Sequence, residues 1–277
     1  NVMFTLRGAE RREIYILQRE MVMKIVYLIK DNQEELWNNQ NDYDSFFSDV
    51  GAPYPPKEHL QHIKEKGGEK IVYIDDKNNI IGWIGLIPIK NECELAGIET
   101  DRKYRNQRVA SLLINEAEKY LHEKNITRLI FQTSPLLTEN TLFYLMQNNT
   151  KYVYNNTVLV GEKNNIYWPV VDCIMELPKK RNQYIFNKNI PDVKSMVKWK
   201  EYKAEIDNCL LDNNDEEKYF ILPYLNIQII MKEMQEGNVE YLNQSNKVFQ
   251  LMKERSYEIK SFVKYGEDYM YIFRKET

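Results

Sequence analysis

The chain has 277 residues, of which 43% are hydrophobic and 12% are aromatic. This apolar content suffices for a packed core and excludes disorder as a description of the whole chain, and the length fits one large domain or two modest ones. Lys and Arg number 38 against 41 Asp and Glu, for a net charge of −3, and no long basic run occurs. Nucleic acid is therefore not expected as the main partner.

Cysteine usage and hydropathy predict a soluble cytoplasmic protein without a membrane partner. Cys93, Cys173 and Cys209 are far apart and odd in number, so neither a disulfide framework nor a cysteine-based zinc site is expected. No apolar run approaches the roughly 18 residues that span a bilayer. The N-terminal stretch carries Arg and Glu residues where a signal peptide would be apolar.

The first hundred residues predict an antiparallel meander that follows a strand and two helices. Residues 1–22 form an extension of uncertain register. A β-branched and aromatic strand is predicted from Met23 to Lys30, a helix begins near Glu34, and a short helix covers Lys57 to Lys66. Three strands with short turns follow, at residues 70–75, 80–89 and 92–100.

Helices and strands alternate in the next eighty residues. An amphipathic helix is predicted over 108–123, a buried strand over 126–133 and a helix over 138–147. Two longer strands follow at 151–160 and 166–177. This order predicts a mixed α/β domain over residues 23–180, with a mostly antiparallel central sheet flanked by helices.

A composition shift after residue 180 predicts a smaller C-terminal α+β domain over residues 181–277. Helices are predicted near 192–206 and 239–255, and a terminal hairpin pairs 257–264 with 269–273. The run 219–234 has no clear pattern.

The segment from Glu94 to Leu113 carries the strongest chemical signal. A strand ends at Thr100, and an amphipathic helix begins near Arg108. Amides at the start of a helix lack partners within the helix and meet the positive end of its dipole, so this junction can hold a phosphate or pyrophosphate. Four cations add to it: Arg102, Lys103, Arg105 and Arg108. By itself, the segment also fits an ordinary strand–loop–helix junction with solvated basic residues.

The same segment resembles the N-acetyltransferase superfamily known as GNAT. That family's fourth strand runs into a loop of the form Arg/Gln-x-x-Gly-x-Gly/Ala, and residues 105–110 read RNQRVA. Residues 140–144 (NTLFY) resemble the family's fourth helix, and residues 172–177 (DCIMEL) resemble its closing strand. The resemblance implies the GNAT fold from Met23 to Leu177 and acetyl-CoA as cosubstrate. It implies that these residues bind that cosubstrate: Ile98, Glu99, Thr100, Arg105, Asn106, Gln107, Arg108, Val109, Ala110 and Ser111.

Two loop positions depart from the family pattern. Arg108 replaces the middle glycine, and Asn106 stands where glycine is common. Glycine lets the backbone approach the pyrophosphate without a Cβ in the way. The Arg108 side chain either points outward and adds charge toward phosphate, or it marks a weakened or altered acyl-CoA site.

Acetyl transfer requires a base, an acid and an exposed backbone. The resemblance implies that Tyr144 protonates the departing thiolate, because a phenol with a pKa of about 10 stays protonated at pH 7. Glu92 and Glu94 are candidate bases, and strict alternation places both on the strand face of Ile98 and Thr100; solvated strand-end carboxylates are the alternative. Gly97 indicates either a bulge that opens a cofactor slot or a weak strand position.

These observations predict an N-acetyltransferase that moves an acetyl group from acetyl-CoA to a small-molecule or peptide amine. No metal is expected, because His59 and His62 lack a third ligand and fit surface or packing positions. The alternative is a catalytically degenerate GNAT-like module that binds a CoA derivative or a protein partner. The C-terminal domain either shapes the acceptor site or forms a homodimer.

Overall fold

The structure, a computed structural model, describes residues 23–38, 56–148, 150–161, 166–178, 196–198, 216–237 and 240–275. The predicted N-terminal extension and Cys209 lie outside these ranges, as does most of the helix predicted near 192–206. The described part of the chain consists of strands, helices and their connecting turns.

Eleven strands and six labelled helices are described. The strands are β1 (Lys24–Tyr27), β2 (Glu69–Ile74), β3 (Ile80–Ile89), β4 (Glu92–Thr100), β5 (Arg128–Thr133), β6 (Lys151–Gly161), β7 (Ile166–Glu176), β8 (Met196–Lys198), β9 (Glu217–Leu222), β10 (Tyr257–Tyr265) and β11 (Asp268–Lys275). The helices are α1 (Glu34–Asn38), α2 (Pro56–Glu65), α3 (Val109–Glu123), α4 (Thr138–Thr141), α5 (Ile227–Gln235) and α6 (Glu240–Glu254). A 3₁₀ turn covers Arg102–Tyr104, and a π-helical segment, Leu142–Gln147, continues α4.

The fold is mixed α/β, as predicted. A seven-stranded sheet has the order β1-β2-β3-β4-β5-β7-β6, and a four-stranded sheet has the order β10-β11-β9-β8. Strand β3 pairs antiparallel with β2 and β4, and β6 pairs antiparallel with β7. The large sheet is therefore mostly antiparallel.

The chain divides into two compact units, residues 1–129 and 130–277. In the first unit, strand β2 (EKIVYI) is buried along its whole length, and Trp37 and Leu60 join one hydrophobic cluster with it. Helices cover both faces of β3. A Cβ built on Gly82 would lie 2.6 Å from Val109 Cγ1 of α3, whereas one on Gly85 would lie 2.7 Å from Ile63 Cδ1 of α2. Residues an odd number apart on a strand point to opposite faces, so α2 and α3 pack on opposite sides.

In the second unit, the C-terminal sheet packs around aromatic rings. Phe249 of α6 contacts Tyr271 and Phe273 of β11, with ring centroids 5.2 and 5.7 Å apart. Tyr271 is fully buried, and its hydroxyl donates to Pro135 O at 2.5 Å and lies 2.9 Å from Thr141 Oγ1. The segment that leads into α4 is thus tied to β11.

The C-terminal half contains one wrong prediction and one new assignment. Residues 196–198, predicted as helix, form strand β8, which pairs parallel with β9. Pairing with a distant strand outweighs the local helical pattern there. The run without a clear pattern consists of β9 and α5, and the Asn226 side chain caps α5 by accepting from Ile229 N at 2.9 Å. The predicted C-terminal helix and hairpin are confirmed.

Candidate functional site

The loop that joins β4 to α3 is held in place by Asp101. Asp101 is buried, its amide donates to Ile81 O at 3.0 Å, and its carboxylate accepts from Lys103 N at 2.8 Å. Tyr104 N donates to Asp101 O at 2.8 Å and closes the 3₁₀ turn. An aspartate that bonds its own backbone two residues on is a common turn device. This anchor was missed from the sequence, although an Asp before a polar loop could have indicated it.

Asn106 and Arg108 both adopt left-handed backbone conformations. Their φ angles are +63° and +64°, and Arg108 has ψ of 13°. These are the two positions at which glycine was expected. Asparagine tolerates this region, whereas a left-handed arginine costs roughly 1–2 kcal/mol relative to glycine. The loop therefore follows the backbone path that glycine would permit, and most of the conformational free-energy cost falls on Arg108.

Helix α3 starts directly after this left-handed residue. Arg108 is its N-cap without a side-chain cap bond, and the first intrahelical bond runs from Leu112 N to Arg108 O at 3.0 Å. The amides of the first turn have no partner within the helix, and that turn contains no acidic residue. Val109 is buried against Gly82, where only glycine allows so close an approach. The positive end of α3 is thus fixed beside the loop.

The loop is rich in exposed cations. Arg102, Lys103, Arg105 and Arg108 are all exposed. The Arg105 Nε donates to Thr100 O at 3.3 Å, and Gln107 Nε2 donates to Lys103 O at 3.1 Å. Together with the helix dipole, these charges make the junction suited to an anion.

Strand β4 contains the bulge that Gly97 indicated. Gly85 pairs with Gly97 and Leu86 with Leu95, so Ala96 is the extra residue. Gly97 has a φ of +143°, and a Cβ built on it would lie 2.7 Å from Trp83 Cη2. Both the backbone angle and the indole ring require glycine here.

The bulge overturns the predicted arrangement of side chains along β4. Ile98 pairs with Ile84 and therefore lies on the face of Leu95, whereas Glu94 pairs with Ile87 on the opposite face. Strict alternation had placed the carboxylates and Ile98 together. One extra residue exchanges the two faces beyond it, so Glu92 and Glu94 lie on the face opposite to Ile98 and Thr100.

The two candidate bases differ in their surroundings. Glu92 is half-buried, and its Oε1 accepts from Arg128 Nη1 at 2.5 Å in an ion pair. Glu94 is exposed. Because Glu92 is engaged in an ion pair with Arg128 and Glu94 is exposed, Glu94 is the more accessible of the two candidate bases.

Tyr144 lies in the second compact unit, within the π-helical segment. Its side chain is 7% exposed, and its ring contacts Phe131 and Phe143 at centroid distances of 4.5 and 5.1 Å. Its carbonyl accepts from Thr150 N at 3.1 Å. The π-helical turn, a feature frequent at functional sites, was not indicated by the sequence.

The described ranges contain neither a cluster of metal ligands nor a membrane-spanning helix. Among these residues, no three His, Cys, Asp or Glu side chains gather in a way that could hold a metal ion. Within the same ranges, no helix has both the length and the apolar character needed to cross a membrane.

Comparison with known proteins agrees with the resemblance stated from the sequence. Residues 35–145 match the acetyltransferase (GNAT) family, which confirms the resemblance over that range. None of the curated proteins matches the chain.

Many solved structures are similar to part of the chain. An acetyltransferase of the GNAT family from Staphylococcus aureus Mu50 is 20% identical, covers 56% of this chain and 99% of its own, and gives a TM-score of 0.42. The ribosomal-protein-S18-alanine N-acetyltransferase of Escherichia coli is 10% identical, with 61% and 99% coverage and a TM-score of 0.43. The NatC complex bound to Gag peptide and CoA is 16% identical, with 56% and 98% coverage and a TM-score of 0.41. At these scores, the family match alone supports the relationship.

Proposed function

We propose, from the match of residues 35–145 to the acetyltransferase (GNAT) family, that this chain transfers an acetyl group from acetyl-CoA to a primary amine by direct attack. The observation that carries the proposal is the left-handed backbone at Asn106 and Arg108, which leads into the amino end of α3. The loop keeps this path without glycine, as an anion-binding turn would require.

The loop and the first turn of α3 bind the pyrophosphate in this proposal. The amides of Val109, Ala110 and Ser111 donate to phosphate oxygens, and Arg105 and Arg108 supply charge. Asn106 and Gln107 shape the turn. Along β4, the backbone of Ile98, Glu99 and Thr100 pairs with the pantetheine amides as an added strand would. The arrangement needs no metal.

The chemistry has three steps at the acyl carbon. Glu94 accepts a proton from the ammonium form of the acceptor, directly or through water, with Glu92 as the less suited candidate. The neutral amine nitrogen attacks the thioester carbonyl carbon, and the carbon–sulfur bond of the resulting tetrahedral adduct breaks. Tyr144 donates its proton to the departing thiolate, and the phenolate takes up the second proton of the amine nitrogen, directly or through water, as the adduct collapses to the amide; Glu94 releases the first proton to solvent.

The first experiment separates binding from turnover. Calorimetry with CoA and acetyl-CoA measures affinity, and thiol release with polyamines, aminoglycosides, amino acids and peptide N-termini measures transfer. We expect a Kd below the millimolar range for CoA and acetyl-CoA, and turnover with at least one amine. Absence of binding at millimolar ligand would overturn the proposal.

Tyr144→Phe tests the proposed acid. The substitution removes only the hydroxyl from a ring that packs on Phe131 and Phe143, so the fold and the CoA affinity are expected to persist. Turnover should fall about 10²-fold or more, the usual contribution of a positioned acid. Phe143→Leu serves as the control, because it changes packing on the same segment and keeps the hydroxyl. An unchanged rate for Tyr144→Phe refutes the assigned role.

A second candidate function is a catalytically degenerate module that binds a CoA derivative or a protein partner. The observation that favours it is Arg108, whose Cβ and exposed guanidinium stand where the family has glycine. CoA binding without thiol release across the amine panel would select this function.

Other features belong to the proposal as predictions. The acetyltransferase domain covers residues 23–180, with an N-terminal extension over 1–22. The C-terminal domain, residues 181–277, contributes to the acceptor site or to a homodimer. The protein acts in the cytoplasm on an amine substrate, without nucleic acid or membrane as partner.

A further inference from the structure

A buried lysine lies between two tryptophan rings in the first compact unit. Lys70 of β2 is 0% exposed, and its Nζ lies 3.1 Å from the ring centroid of Trp37 and 4.0 Å from that of Trp83. No carboxylate of the described residues forms an ion pair with it. Aromatic faces stabilise a desolvated ammonium, but this offsets only part of the cost of burying its charge. An apolar side chain would fill this position at lower cost.

Lys70 begins a chain of two hydrogen bonds. Its Nζ lies 2.9 Å from Nδ1 of His59, and Nε2 of His59 lies 3.0 Å from Ala96 O. A carbonyl oxygen only accepts, so Nε2 of His59 carries the hydrogen and Nδ1 accepts from Lys70. Burial and the neighbouring Lys70 lower the pKa of His59 to about 4, so the imidazole is neutral at pH 7. Burial lowers the pKa of Lys70 well below its ordinary value.

The chain of hydrogen bonds ends on the bulged residue of β4. Lys70 pairs with Gly85, and Gly85 pairs with Gly97, so these three residues form one row across the sheet. Ala96, immediately before Gly97, is the extra residue that the β3 register leaves without a partner. An unpaired backbone carbonyl in a half-buried strand requires another donor. His59 is that donor, and α2 brings it over the row of glycines.

We propose that His59 and Lys70 are positioning residues, which fix the Ala96 bulge and so orient the backbone of Gly97 and Ile98 toward the acyl-CoA. His59 holds the bulged carbonyl, and Lys70 holds the ring of His59 in the tautomer that donates. The inference rests on the proposed function, since it assigns the bulge to the strand that pairs with pantetheine. Lys70 donates a hydrogen bond to Nδ1 of His59, and this favours the tautomer in which Nε2 donates to Ala96 O. An apolar side chain at this position could not do so.

Matched variants of His59 test this role. Gln places an amide N–H near the position of Nε2, whereas Leu has no donor. His62→Gln, the same substitution one turn further along the same helix, is the control. We expect His59→Leu to raise the Kd for CoA and the KM for acetyl-CoA about tenfold, the effect of one lost hydrogen bond, with kcat changed less. His59→Gln should stay within about threefold of wild type on the same scale.

A second readout does not depend on ligand. Amide hydrogen exchange at Gly97 and Ile98 should accelerate about tenfold in His59→Leu, for the same lost bond, and remain near wild type in His59→Gln and His62→Gln. Lys70→Met carries the same test should His59→Leu not fold. In Lys70→Met, Nδ1 of His59 loses its donor, so the Nδ1 ¹⁵N resonance should shift; an unchanged resonance would overturn the role of Lys70.

The outcomes separate this inference from the proposed function. If wild type does not bind CoA, the proposed function fails and the ligand-directed half of this inference fails with it. If wild type binds CoA and His59→Leu leaves Kd, KM and the Gly97 exchange rate unchanged, the inference alone is overturned. Loss of affinity in His59→Leu with rescue in His59→Gln supports it.

Discussion

Two substitutions at Arg108 separate the effect of its charge from the effect of its backbone conformation. Arg108→Ala removes the guanidinium and keeps Cβ, and Arg108→Gly removes both. A left-handed non-glycine residue costs about 1–2 kcal/mol, and glycine loses about 0.5–1 kcal/mol more conformational freedom on folding. With φ at +64°, Arg108→Gly should therefore be about 0.7 kcal/mol more stable than Arg108→Ala.

Urea unfolding and calorimetry measure the two consequences. In a chain of this size, the stability difference corresponds to a Tm shift of about 2 °C. Both variants lose a charge, so both should bind CoA about tenfold more weakly if the guanidinium contacts phosphate. Arg108→Gly should recover part of that loss, because no Cβ then obstructs the loop. If Arg108→Gly is no more stable than Arg108→Ala, the strain assigned to Arg108 is refuted.

Two further predictions concern the buried polar networks. Tyr271→Phe removes a hydroxyl that bonds Pro135 O and Thr141 Oγ1 and should lower the free energy of unfolding, measured with urea, by about 1–2 kcal/mol; an unchanged free energy of unfolding would count against the network. The pKa of His59 in the folded protein, about 4, lies below its value in the unfolded chain. Its contribution to the free energy of unfolding is therefore complete above about pH 6.5 and falls by about 3 kcal/mol as the pH drops toward 4. His59→Gln should lack this pH-dependent contribution. If wild type and His59→Gln show identical profiles of unfolding free energy against pH, the lowered pKa of His59 is contradicted.

The elements set by local pattern were predictable from the sequence. Strands β3 and β4 have the predicted bounds, because apolar runs with turn residues on both sides determine them. Helix α3 likewise follows from its apolar face, of which Val109 and Leu113 are buried. Motif recognition was equally local, since residues 105–110 lie within one loop and one helical turn.

Features that depend on pairing between distant segments were not predictable. Strand β8 forms only because β9 offers an edge about twenty residues further along the chain. The extra residue at Ala96 reverses the faces beyond it, so an alternation argument placed Glu94 wrongly relative to Ile98. His59 was expected to occupy a surface or packing position; its bond to Ala96 depends on α2 and β4 meeting, which no local pattern encodes.

The scarcity of glycine, 10 residues in 277, is compatible with a phosphate loop because neighbouring contacts impose the required conformation. The Asp101 carboxylate fixes the start of the loop, Gln107 bonds back to Lys103 O, and Val109 is pressed against Gly82. Arg108 lies between these constraints, so its left-handed backbone is set from both sides and need not be intrinsically favourable. Glycine is instead kept at Gly82 and Gly97, where a Cβ would strike Val109 or Trp83 and no neighbouring contact could compensate.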